Sequence, residues 1–214
     1  MPKETPGLRE RKKAKTRLAI SDVATRMFIE RGFDAVTVAE VAAAADVSVA
    51  TIFNYFETKE DLFFDREGEL IAELCRSVRE RRVGETITSA LHRTFLKALD
   101  AILPRLAAGG AAFLRTVEAS PALRARARFA LDKAEAALAE TFAEETAAAP
   151  GDASPRAVAA MVAGIHRMLL EDVAAAVLRG DPVTVAQRRL RKTCDRGFEL
   201  LESGVRGYGR KPRR

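Results

Sequence analysis

The chain has 214 residues, a formal net charge of +6 and a pI near 9.6, which fits one large domain or a small domain joined to a larger one, since domains usually run to about 100–200 residues. Forty alanines, no tryptophan and only two tyrosines favour helices over sheets, so the expected class is all-α. Cys75 and Cys194 stand far apart with no Cys-x-x-Cys pair, and residues 1–20 and the rest of the chain lack a long apolar run; this argues against a disulfide framework, a structural zinc site, an export signal or a membrane span, and for a cytoplasmic protein.

Taken in chain order, the first helix is expected from near Leu8 to Arg31, with Ile20, Val23, Ala24, Met27 and Phe28 at helical spacing and Gly32 as its left-handed stop. Thr37 with Glu40 forms a capping box that opens a short helix carrying Val41, Ala42 and Ala45 inward until Asp46 breaks it. Ser48 caps a second short helix through Thr51, Phe53 and Tyr55, and Thr58 with Asp61 predicts a longer one over 58–82. A helix follows over 86–107, with a kink at Pro104 and an end at Gly109-Gly110. Ser120-Pro121, Ser154-Pro155 and Asp181-Pro182 each set a capping residue before a proline, predicting helices over 121–146, 155–179 and 182–203.

Charge divides unevenly along this order. Residues 1–17 carry a net +5 and residues 205–214 another +5, whereas 18–82 carry −5 and 83–204 only +1. A polyanion would meet the basic ends first. Six acids, Glu57, Glu60, Asp61, Asp65, Glu67 and Glu69, crowd the start of the 58–82 helix and leave Lys59 almost alone among cations there. The expected electrostatic anchor is therefore the N-terminal arm, with Arg9, Arg11, Lys12, Lys13, Lys15 and Arg17, entering a flanking minor groove.

Two short helices joined by Asp46-Val47-Ser48 have the spacing of a helix-turn-helix, whose second helix enters the DNA major groove. Many all-α proteins hold such a corner for structure alone. Here Thr37, Thr51, Tyr55 and Lys59 add hydroxyls and a cation of the kind that bind phosphate, with small Val49 and Ala50 at the tip.

At Ile20, Val23-Ala24, Met27-Phe28, Gly32-Phe33, Thr37-Val38, Val41-Ala42, Ala45-Asp46-Val47-Ser48, Thr51 to Phe56 and Lys59 to Leu62 the chain resembles the TetR family of bacterial transcriptional regulators. The resemblance implies an N-terminal three-helix DNA-binding domain and a larger C-terminal helical domain for dimerisation and ligand binding. It implies boundaries near 1–17 for the arm, 18–65 for DNA binding, 66–204 for the regulatory domain and 205–214 for a basic tail. Carried over by position, Thr37, Tyr55 and Lys59 would touch phosphate and Val49, Ala50 and Thr51 would approach base edges; Ser48 at the head of that helix, Asn54 where it faces DNA, and Lys13 and Arg17 of the basic arm are further candidate contacts read from the residues themselves. Phe53 departs from the tyrosine common there and loses a phosphate-reaching hydroxyl, which leaves it sugar or a thymine methyl. Asp46 stands where glycine is common, and aspartate tolerates left-handed backbone better than most residues.

The implied partners are double-stranded operator DNA, a second copy of the chain and a small-molecule effector. The 155–179 and 182–203 helices would pair between subunits, and Phe95, Leu99, Leu103, Phe113, Arg115, Val117, Phe142 and His166 would frame the effector pocket. No cofactor or metal site is expected. Catalysis finds no support: the two histidines, His92 and His166, and the lack of nucleotide, nucleophile-elbow or zinc-hydrolase motifs leave no site to build, and Cys75 and Cys194 read as inert thiols. Three readings stay open: a ligand-released repressor, a DNA-binding regulator governed by a protein partner or abundance, and a helical carrier or enzyme with an incidental helix-turn-helix.

Overall fold

The structure is a computed structural model and describes residues 7–204; the basic tail at 205–214 and the first six residues of the arm lie outside the described residues. Among the described residues it is all-helical: α1 (Leu8–Arg31), α2 (Val38–Ala44), α3 (Val49–Phe53), α4 (Glu67–Arg79), α5 (Ile87–Arg105), α6 (Ala111–Ala119), α7 (Pro121–Glu145), α8 (Ser154–Arg179) and α9 (Val183–Ser203). The chain divides into two compact units. Among the described residues, unit 1 runs to Gly68 and takes in Ala112–Ala127, and unit 2 holds Glu69–Ala111 and the residues from Arg128 onward.

Unit 1 is built on an aromatic core. Ile20, Ala24 and Phe28 of α1 recur every fourth residue and are buried with Phe33, Val41, Ile52, Phe56, Leu62 and Phe63. Leu123, from the first turn of α7, is fully buried in the same cluster, and Phe113 stacks on Phe63 with centroids 4.3 Å apart. Segment 112–127 is thus part of the core that carries α2 and α3, although the sequence pattern assigns it to the regulatory domain. Nothing local marks it: its apolar residues have the same helical spacing as those of unit 2.

The helix expected over 58–82 is broken. Thr58 and Asp61 do cap one another (Thr58 N–H to Asp61 Oδ2, 2.9 Å; Asp61 N–H to Thr58 Oγ1, 3.3 Å), but around a single 3₁₀ turn, Glu60–Leu62, and α4 opens only at Glu67. The break lets the consecutive residues Leu62 and Phe63 both enter the core. The break expected at Gly109-Gly110 is present: past Pro104 the helical path runs on through Leu106, Gly109 leaves helical backbone (φ 177°, ψ −4°), and beyond this kink the chain resumes as α6, a helix without a start signal in the sequence. A Cβ at Gly110 would meet the Leu106 side chain and displace it.

Unit 2 packs long amphipathic helices. Leu91, Phe95, Leu99 and Leu103 of α5 and Ala186, Leu190, Cys194 and Phe198 of α9 form four-residue stripes, buried in both cases. α8 adds Ala159, Val162, Leu169, Val173 and Ala176, and Ile165 meets α9 at Gly197, where a Cβ would lie 3.2 Å from Ile165 Cγ2. The α5–α9 rim is zipped by Asp100 with Gln187 (2.6 Å) and Arg191 (2.7 Å), by His92 with Asp195 (2.8 Å), and by Glu202 with Thr88 and Ser89.

Candidate nucleic-acid interface

The α2–turn–α3 corner is set by local chemistry. The Thr37 hydroxyl accepts from the Glu40 N–H at 3.2 Å and the Glu40 carboxylate accepts from the Thr37 N–H at 2.8 Å, closing the capping box. Arg31 hydrogen-bonds the same carboxylate and, with Thr37, holds it down at about 2. Asp46 turns the chain with φ of 53°, as its side chain permits. The Ser48 hydroxyl then caps α3 by accepting from the Thr51 N–H at 3.0 Å.

Residues that the sequence groups together as DNA contacts separate into two sets. Thr37, Ser48, Val49, Ala50, Phe53 and Asn54 are exposed, as is Lys13 on α1, while Thr51 is half-buried. The others are tethered inside unit 1. Lys59 donates from Nζ to the Phe33 carbonyl at 2.6 Å and lies 4.2 Å from the Phe33 ring centroid. Arg17 hydrogen-bonds the Tyr55 carbonyl, reaches the Asp65 carbonyl at 3.4 Å and covers the Phe56 ring. Tyr55 is half-buried against the core. These side chains fix the position of α3 rather than standing free on the surface, because aromatic rings and turn carbonyls beneath them attract cations that would otherwise be solvated.

The arm also differs from expectation. Residues 8–17 are helix, continuous with α1, and Arg9, Arg11, Lys12, Lys13 and Lys15 project all round it before the first core residue, Ile20. An α-helix is about 10–12 Å across and the minor groove about 6 Å wide, so this stretch does not enter a minor groove.

Arg126 on α7 is a residue that sequence reasoning missed. Its guanidinium donates to Asp61 Oδ1 at 2.8 Å and pairs with Glu67, joining the turn after α3, the start of α4 and the first turns of α7 within unit 1. Burial works to raise the Asp61 carboxyl, but hydrogen bonds from Arg126 and Thr58 outweigh it and leave it below its ordinary value. Ser120 donates to Asp34 at 3.2 Å on the same segment. The acidic crowding near residue 60 was the available signal; which of many arginines answers it is a tertiary fact.

The expected pocket residues are divided between the two units. Phe113, Arg115 and Val117 belong to unit 1, with Phe113 and Val117 packed on its core and Arg115 exposed. Phe95, Leu99, Leu103 and Phe142 are 1–5% exposed inside unit 2, where the Phe95 and His166 rings lie 5.0 Å apart. A cleft of about 480 Å³ in unit 2 has other walls, including Ala139, Glu140, Ala143, Pro155 and Arg156. Both thiols are buried, and burial pushes the Cys194 thiol up to about 12.

Known proteins share both the corner and the fold around it. Residues 20–65 match the bacterial regulatory proteins of the tetR family. The HTH-type transcriptional regulator TcmR of Streptomyces glaucescens is 28% identical over 170 residues, 77% of this chain and 75% of that protein. In fold, a TetR-family regulator from Streptomyces coelicolor A3 superposes with TM-score 0.57 at 20% identity, covering 94% of this chain and 99% of its own. FadR of Bacillus subtilis, solved with stearoyl-CoA, superposes with TM-score 0.52 at 23% identity, covering 88% and 98%. No helix among the described residues is long and apolar enough to cross a membrane. Residues 20–65 thus carry the match to the tetR family of bacterial regulatory proteins, within a fold shared with TetR-family structures.

Proposed function

We propose that this regulator is a homodimeric repressor that holds a two-fold-symmetric operator through α3 and leaves it when a small molecule occupies unit 2. The observation that carries the DNA-binding half is the capped α2–α3 corner, which leaves Val49, Ala50, Phe53 and Asn54 exposed on α3 while tethering Arg17 and Lys59 behind it. Thr37 and Ser48 stay at the surface to meet phosphate. Dimerisation is supported by α8, whose outward stripe of Ala157, Ala160, Met161, Gly164 and Met168 is apolar and exposed. The apolar stripe of α9 turns inward and its outer face is charged, so α8 supplies the apolar part of the pairing surface.

The effector half rests on the fold, which in the Bacillus subtilis FadR structure accompanies an acyl-CoA, and on a helical unit 2 larger than DNA binding requires. Ligand binding shifts DNA affinity only by its preference for one state of the protein. A reading without small-molecule control is favoured by the tight packing of Phe95, Leu99, Leu103 and Phe142. Release of bound DNA by a small molecule separates the two readings.

Selection of bound fragments from the source genome, followed by footprinting, tests the proposal: a protected site with two-fold symmetry is expected, and its absence at moderate salt overturns the repressor reading. The exposed cations of residues 9–15 supply the electrostatic contact to flanking phosphate. Each phosphate contact contributes about −0.9 to the slope of log affinity against log salt. Deleting residues 1–15 therefore flattens that slope, and an unchanged slope removes the arm from the interface.

A further inference from the structure

The outward face of α3 is poor in groups that hydrogen-bond bases. Ser48 and Thr51 spend their hydroxyls on the helix cap, Oγ to Oγ1 at 2.8 Å, with Ser48 Oγ also accepting the Thr51 N–H. No lysine, arginine, glutamine or carboxylate occurs from Val47 to Tyr55. The Tyr55 side chain packs on the core, and the nearby cations Arg17 and Lys59 are bound to backbone carbonyls. What remains in solvent is Val49 at 40% exposure, Phe53 at 53%, Ala50, and one amide, Asn54. Val49 and Phe53 are four residues apart and Ala50 and Phe53 three, so the apolar groups share one side of the helix.

Leaving a valine and a phenylalanine together in water forgoes apolar burial, and this face lies on the segment that matches the family's DNA-binding region. In the major groove the one apolar group on a base edge is the C5-methyl of thymine. We propose that Val49 and Phe53 read the operator through thymine C5-methyl groups, with Asn54 as the one side-chain amide available to a base edge. The assignment rests on the DNA-binding reading above and specifies its chemistry: recognition depends on thymines at fixed positions facing α3, rather than on the guanine contacts that arginine or lysine makes.

Replacing thymine by deoxyuridine removes that methyl and keeps every hydrogen-bonding group and phosphate. The test uses the full chain and a duplex selected from a random-sequence pool, with each thymine changed to deoxyuridine in turn. Burial of one methyl corresponds to about a fourfold change in affinity, so three- to fivefold weakening is expected at the thymines facing α3 and none elsewhere. Phe53→Ala, which removes a side chain outside the core, should leave the melting temperature and the salt slope unchanged and abolish the deoxyuridine penalty at its own thymine. A selected duplex bound equally well with deoxyuridine throughout overturns methyl readout while the DNA-binding reading stands. A full penalty retained in Phe53→Ala overturns the assignment to Phe53. Failure to select any duplex overturns the DNA-binding reading itself.

Discussion

Unit 1 and unit 2 hold their helices by different means. In unit 1, beside the side-chain pairs of Arg126 and Ser120, ties run from side chains to backbone carbonyls distant in sequence: Lys59 to Phe33, Arg17 to Tyr55, Ser21 to Leu62 at 3.0 Å. In unit 2 they run mainly from side chain to side chain along the α5–α9 rim, over apolar stripes. Helix length explains the contrast. α2 has seven residues and α3 five, far below the roughly 12–15 at which a helix begins to stand alone, so they depend on caps and on cations reaching the carbonyls of the turns around them. The helices of unit 2 run to 26 residues and need only a buried face. Such tethers hold α3 in place on the unit 1 core.

The largest effect is expected where a later segment completes the head. Leu123→Ala empties a fully buried site in the unit 1 core and should cost about 2–4 kcal/mol. Hydrogen exchange checks it: amides of α2 and α3 lose protection while those of α5 and α9 keep theirs. Equal loss in both units would erase the distinction between them.

Arg126→Met comes next, because it removes the guanidinium that Asp61 and Glu67 share. The cluster is largely but not wholly buried, so the cost is about 2 kcal/mol in denaturant unfolding. Arg126→Lys should recover part of it, since a lysine keeps the charge without the two-pronged geometry.

The third prediction sharpens the contrast from the side of unit 2. Burial against Phe95 holds the His166 imidazole down at about 4, against about 6.5 in an unfolded chain. The unfolded state therefore takes up a proton first as pH falls. Stability is complete above about pH 6.5 and declines toward pH 4, by about 2 kcal/mol at pH 5. His166→Gln should remove this part of the acid sensitivity in thermal melts; an unchanged pH profile would place the histidine in contact with solvent.

The smallest effect concerns the turn itself. Asp46 has a φ of 53°, where a side chain is strained, and Asp46→Gly should stabilise the chain by about 0.5–1 kcal/mol in equilibrium unfolding. No gain would mean that Asp46 contributes more to the corner than its backbone conformation.

Much of the DNA-reading corner is legible in the amino-acid sequence. The Thr37/Glu40 capping box, the Ser48 cap and the left-handed Asp46 are encoded within four residues of where they act, and the prolines mark the starts of α7, α8 and α9 to within a residue or so, although Ser154 and Asp181 do not cap α8 and α9 as expected: their N-caps are Ala153 and Pro182, without a side-chain cap. The roles of Arg17 and Lys59 are not legible there, because a cation on a helix looks the same in sequence whether it faces phosphate or a carbonyl. Nor is the membership of 112–127 in unit 1, or the choice of Arg126 to answer Asp61 and Glu67. Local signals determined which segments are helices and that two of them form a DNA-reading corner; the tertiary structure alone decided which charges remain free to meet DNA, since that depends on carbonyls and rings supplied by residues tens of positions away.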